Sequence, residues 1–230
     1  MQWLDGAGKL QPLLAKPGPY WDPKLSPDGR RLAISITEGS NDNIWVYEAQ
    51  RDAMTRLTFE AGGANWPLWT PDGQYVLFQA AGRNMYWTRA DGAGKAQPLT
   101  LTTSPAPLFP GSVTADGKRL AYQQLGFGTL DDLWTVPLES NSTGVTAGKP
   151  EVFLQTPFNE RDPSFSPTGD GWRTIRMSPA PFKSMCGLSL TRVANGRSPT
   201  PVVCFRYGRA MGASCSSLIW TTRSWWRPTL

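Results

Sequence analysis

Pro27-Asp28-Gly29, Pro71-Asp72-Gly73 and Ala115-Asp116-Gly117 stand 44 residues apart, twice over, and these three stretches decide the fold. A fourth copy, Ser166-Pro167-Thr168-Gly169, follows after a longer gap. Five residues ahead of the Asp, or of Thr168, stand Pro23, Pro67, Gly111 and Pro163. An apolar run follows each of the first three turns: Arg31-Leu32-Ala33-Ile34-Ser35-Ile36, Tyr75-Val76-Leu77-Phe78 and Arg119-Leu120-Ala121-Tyr122. A second run begins with a small polar or acidic residue, as Asn43-Ile44-Trp45-Val46-Tyr47, Asn84-Met85-Tyr86-Trp87 and Asp132-Leu133-Trp134-Thr135-Val136. A third, short run closes each unit at Thr55-Arg56-Leu57-Thr58, Gln97-Pro98-Leu99-Thr100 and Glu151-Val152-Phe153-Leu154.

In this pattern Asp-Gly supplies the positive φ of a tight hairpin turn, and Pro fixes φ one residue earlier. Runs of four to six β-branched and aromatic residues suit strands buried on both faces. Three such strands plus the segment ahead of the turn make a four-stranded antiparallel blade. A single blade cannot cover its own faces, so blades stack around an axis. The expected fold is all-β: a partial β-propeller of about three complete blades plus fragments, with an irregular C-terminal tail. The expected divisions are residues 1–14 as the end of a preceding blade, blades at 15–60, 61–104 and 105–156, the start of a further blade at 157–169, and an irregular basic tail at 170–230. Trp45, Trp87 and Trp134 are expected at equivalent, buried strand positions.

These repeats resemble the TolB-like (WD40-like) β-propeller repeat, over residues 1 to about 169. The run Pro157-Phe158-Asn159-Glu160-Arg161-Asp162-Pro163-Ser164-Phe165-Ser166-Pro167 looks closer still to the C-terminal propeller of some bacterial serine/threonine protein kinases and related sensor proteins. The resemblance implies a six-bladed ring that binds a protein, peptide or small ligand. No kinase motif is present, so no kinase activity is implied.

The chain of 230 residues has no histidine. That excludes the Ser-His-Asp and Cys-His relays, histidine metal sites and the usual general base near neutral pH. No catalytic, cofactor-binding or metal-ligating residue is singled out. Gly92-Ala93-Gly94 and Gly126-Phe127-Gly128 lack the strand-loop-helix setting and the Lys of a phosphate loop, and read as turns. Asp131-Asp132 is a carboxylate pair, but neighbours on a strand point to opposite faces, so it marks a strand start. Gly212-Ala213-Ser214-Cys215-Ser216 has the spacing of a nucleophile elbow without a histidine or a strand-turn-helix setting. No run of 18 apolar residues and no signal-peptide layout occurs.

The net charge of +5 is unevenly placed. Residues 1–170 hold 14 Lys and Arg against 18 Asp and Glu, whereas residues 171–230 hold 9 basic and no acidic residues. All three cysteines, Cys186, Cys204 and Cys215, lie in the second part. Turn spacing and acidic residues stop together after Gly169. Reading the last base of each codon with the first two of the next converts the tail, without a stop, into a string opening Trp-Leu-Ala-Tyr-Asp-Ser-Asn-Glu that looks like the next blade and a half. Loss of one G from codons for Pro-Asp-Gly-Arg-Trp yields Pro167-Thr168-Gly169-Asp170-Gly171-Trp172. The tail is therefore expected to be out of frame, and the chain a truncated fragment of a larger bacterial signalling protein. The expected function is a non-catalytic interaction or sensor module with a protein or peptide partner, no nucleic-acid partner and no membrane segment. Two alternatives stand beside it: an accessory propeller of a prolyl-oligopeptidase-type peptidase, or a nucleic-acid binder using the basic tail and Trp225-Trp226.

Overall fold

In a computed structural model the described residues are 1–4, 9–14, 18–59, 62–80, 84–101, 106–126, 130–166, 171–177, 188–194 and 203–205, the last three segments as backbone. They are strands and turns throughout, with no helix among them. The repeat decides where each strand begins. The hydroxyls of Ser26, Thr70 and Thr114 donate to the carboxylates of Asp28, Asp72 and Asp116. Those carboxylates accept the backbone N–H of Arg30, Gln74 and Lys118 at 3.0–3.1 Å. The same hydroxyls accept the N–H of Arg31, Tyr75 and Arg119 at 2.9–3.0 Å, where the next strand starts. Gly29, Gly73 and Gly117 alone carry positive φ, at 71°, 67° and 75°. The Asp residues therefore act through their carboxylates rather than through a left-handed backbone, and each is a type I turn closed by glycine, Pro-Asp in the first two and Ala-Asp in the third.

Four antiparallel sheets follow in chain order. The first joins β3 (Tyr20–Leu25), β4 (Arg31–Glu38), β5 (Asn41–Glu48) and β6 (Ala53–Arg56); the second joins β7 (Ala64–Trp69), β8 (Tyr75–Ala80), β9 (Asn84–Arg89) and β10 (Gln97–Pro98). The third joins β11 (Leu108–Val113), β12 (Arg119–Gln124) and β13 (Asp132–Asn141), which pairs with both β14 (Gly144–Ala147) and β15 (Glu151–Leu154). The fourth joins β16 (Asn159–Phe165), β17 (Gly171–Met177), β18 (Leu188–Ala194) and β19 (Val203–Phe205). Each sheet is a blade that touches the next, with the first strands β3, β7, β11 and β16 side by side along the inside. This is a partial β-propeller. A separate unit at the start of the chain contains the hairpin of β1 (Gln2–Leu4) and β2 (Leu10–Pro12).

Strand β8 has every residue buried, because blades cover both of its faces. Val76 and Phe78 meet Ala33, Ile44 and Val46 of the first blade. Leu77 and its neighbour Tyr75 meet Leu120, Tyr122 and Val136 of the third. Fully burying one such side chain stabilises the fold by roughly 1.5–3 kcal/mol. Polar links cross the same seams. Trp69 Nε1 donates to the Lys24 carbonyl at 2.9 Å, while Arg31 lies 4.7 Å over the Trp69 ring and donates to the Gly73 carbonyl at 2.8 Å.

Two expectations need correction. Cross-strand register pairs Ile34 with Trp45, Phe78 with Tyr86 and Tyr122 with Trp134. Tyr86, not Trp87, is thus the equivalent of Trp45 and Trp134. Trp87 is one residue on and faces the other way, edge-on to Tyr75 at 5.2 Å. Secondly, the longer third repeat contains a hairpin absent from the other two. Strand β13 overshoots and folds back as β14, bringing Leu138 and Val145 onto the seam between the second and third blades. Within the tail at 170–230, β17, β18 and β19 are strands, and β17 pairs with β16. Thr174-Ile175-Arg176-Met177 and Leu188-Ser189-Leu190-Thr191 are short stretches of polar-apolar alternation, enough for a ladder. The remaining tail residues lie outside the described residues.

Candidate interaction face

The two ends of the blade stack differ. One carries the Asp-Gly turns. At the other, the first strands begin, and there each strand is interrupted by a β-bulge before its proline or glycine: between Trp21 and Lys24, Asn65 and Leu68, Pro110 and Ser112, and Arg161 and Ser164. Asp22, Trp66 and Asp162 occupy these bulges with φ of 50°, 60° and 51°. A left-handed backbone at a bulky residue such as Trp66 is an outlier costing on the order of 1–3 kcal/mol. What holds it is local. The Trp66 N–H donates to the Asp22 carboxylate across the first seam, Pro67 follows, and the Trp66 ring stands edge-on to Phe109 at 5.5 Å. The ring remains 37% exposed.

Burial pushes the Asp22 carboxyl above the usual carboxylate range. Lys24 and the Trp66 N–H pull against that shift, while the negative charges of Asp162 and Asp42 add to it. Asp162 belongs to the fourth blade and Asp22 to the first, so the inner ends of non-neighbouring blades feel each other's charge. On the first blade, Trp21 is 52% exposed and fixed by its Nε1, which donates to Thr37 Oγ1 at 3.0 Å. Thr37 Oγ1 in turn donates to Asp42 at 2.6 Å. The result is a face of rigidly held aromatic surface and carboxylates, a combination suited to a cationic or amphipathic peptide surface.

The family described as TolB beta propeller domain matches residues 4–172. The chain belongs to this family. Among solved structures, a TolB from Agrobacterium tumefaciens is similar at 20% identity and TM-score 0.58, covering 74% of this chain and 59% of that one. A puromycin-hydrolyzing peptidase from Mycobacterium tuberculosis is similar at 15% identity and TM-score 0.57, covering 84% of this chain and 32% of that one. An uncharacterized peptidase, YuxL, from Bacillus subtilis is 40% identical over 57 residues, 24% of this chain and 9% of that protein. The chain thus spans about three fifths of the solved TolB and under a tenth of the curated relative. At these identities the structural likenesses concern the fold.

Within this TolB propeller the carboxylate pair proves structural. Asp132 opens β13 and accepts Gln155 Nε2 at 2.8 Å. Asp131, only 3% exposed, accepts Arg161 Nε at 2.8 Å and Gln123 Nε2 at 3.0 Å. Its carbonyl takes the Glu160 N–H at 3.0 Å, so Asp131 ties the third blade to the fourth. Gly92 and Gly94 are turn residues with φ of 78° and 88°. Phe127 and Gly128, the segment Gly212–Ser216 and Trp225-Trp226 lie outside the described residues. At the turn end, a cleft of about 480 Å³ opens between the second and third blades beside Asp72, Asp116, Lys118, Glu139 and Ser140. Among the described residues no three His, Cys, Asp or Glu gather as a metal site, and no helix is long and apolar enough to cross a membrane. Pro23, Pro67, Gly111 and Pro163 mark the repeat in the sequence, and the bulge residues stand just before three of them. A bulky or acidic residue ahead of Pro, five or six positions before the turn, was the available signal.

Proposed function

We propose that this chain is a non-catalytic interaction module that docks a protein or peptide on the bulge face, around Asp22, Trp66 and Phe109. The observation that carries the reading is Trp66: a bulky residue kept in a left-handed backbone, with its ring partly exposed beside the half-buried carboxylate of Asp22. Strain of this kind persists where surrounding structure enforces it, and it clusters at binding sites. Residues 1–170 hold 14 basic against 18 acidic side chains, which favours a cationic peptide over a polyphosphate backbone. The stretch Pro157–Pro167 supports a place beside the kinase-associated sensor propellers of bacteria.

Panning a peptide phage library on the chain tests this. Peptides that bind the native chain should be lost on Trp66→Gly, which suits the left-handed backbone and removes only the ring, and weakened on Asp22→Asn. Enriched peptides that bind both variants as tightly as the native chain would refute the bulge face as the site. A second reading, an accessory propeller of a peptidase, draws support from the YuxL match. A hydrolase segment with a Gly-x-Ser-x-Gly turn in the same polypeptide would favour it.

A further inference from the structure

Backbone register fixes which residues are equivalent from blade to blade. The last pair between first and second strands is Leu25 with Leu32, Trp69 with Val76, Val113 with Leu120, and Phe165 with Trp172. The preceding pair is Lys24 with Ala33, Leu68 with Leu77, Ser112 with Ala121, and Ser164 with Arg173. Positions 172, 173 and 174 of the fourth blade therefore correspond to Leu32-Ala33-Ile34, Val76-Leu77-Phe78 and Leu120-Ala121-Tyr122. All nine of those residues are at most 3% exposed. Leu77 is packed against the following blade and Val76 and Phe78 against the preceding one, so these are seam positions. Arg173 occupies a seam position that carries only Ala or Leu elsewhere, and Thr174 one that carries Ile, Phe or Tyr.

The neighbouring reading frame supplies what the seam requires. Trp has the single codon TGG. The last base of the Gly171 codon with TG gives Leu when that base is T or C. The last G of TGG with the CG of a CGN Arg173 codon gives GCG, which is Ala. The last base of the Arg173 codon with the AC of Thr174 gives Tyr when that base is T. Leu-Ala-Tyr then falls on the register positions of Leu120-Ala121-Tyr122. We infer that the chain from Gly171 onward is read one base out of register, and that the neighbouring frame encodes a fourth blade with an apolar outer face that takes a further TolB-type blade as its partner. The blade register is independent of the turn motif at residues 166–169 and of the binding proposal above.

Two measurements decide it. Sequencing the gene should give a Gly171 codon ending in T or C and CGT for Arg173; any other base at either place overturns the inference. Peptide mass spectrometry of the source cells should find a tryptic peptide that runs through Leu-Ala-Tyr. Detection instead of Met177–Lys183, the tryptic product of the chain as written, shows that the basic tail is the expressed form and overturns it equally.

Discussion

Substitution of Gly144 by Ala isolates the added hairpin of the third blade. Gly144 has φ of 149°, a region that L-residues enter at a cost on the order of 1–3 kcal/mol. A Cβ there would also stand 2.6 Å from two atoms of the Trp87 ring, well inside a normal carbon-carbon contact of about 3.5–4.0 Å. Overpacking of this kind costs about 1–3 kcal/mol. Gly144→Ala should therefore destabilise the chain by roughly 2–6 kcal/mol. The two contributions are separable. In a Trp87→Leu background the ring is gone and only the backbone cost remains, so Gly144→Ala should then cost about 1–3 kcal/mol. Urea unfolding of the four proteins, followed by tryptophan fluorescence and far-ultraviolet circular dichroism, gives the coupling energy directly. A loss that is the same in both backgrounds would refute the packing of the hairpin on Trp87. No loss in either would refute the hairpin itself.

Two further outcomes are expected. Asp22→Asn should stabilise the chain at neutral pH. The folded carboxyl titrates above its ordinary value of 3.8, so the acid contributes stability below the unfolded value and loses it as pH rises through the folded one; the advantage of Asn should vanish below about pH 4 in thermal melts across pH, and an advantage that grows towards low pH would contradict the burial of Asp22. Tyr122 is fully buried and its hydroxyl is without a hydrogen-bond partner among the described residues, so Tyr122→Phe should be neutral or stabilising by up to about 1–3 kcal/mol; a loss of more than about 1 kcal/mol in urea would mean that the hydroxyl has a partner.

Much of the fold was legible because each repeat punctuates itself. Ser26, Thr70 and Thr114 with their Asp and Gly partners fix where strands start, through hydrogen bonds that are local in sequence. What escaped was non-local. Asn84-Met85-Tyr86-Trp87 offers two adjacent aromatics, and only the ladder with β8 decides which one shares a face with Phe78. The β14 hairpin was hidden in a run of Ser, Thr and Gly that looks like loop until Trp87 is placed against Gly144. The bulge face was illegible for a related reason. Nothing in Asn65-Trp66-Pro67 announces a left-handed tryptophan, because the bond that holds it comes from Asp22 on another blade.

The β14 hairpin also bears on the order in which the chain comes apart. A stack of blades behaves as a one-dimensional array in which each member is stabilised by its neighbours. The other seams are closed by strand faces and by polar links, from Trp69 and Arg31 at the first and from Asp131 at the third. The seam between the second and third blades is also gripped from outside, since Tyr75 donates to the Asn141 carbonyl at 2.7 Å and Leu138 and Val145 lie over the joint. These two blades form one cooperative block, with looser members on either side. Opening events measured by amide exchange would begin in the flanking blades and reach Leu77, Leu120 and Val136 last.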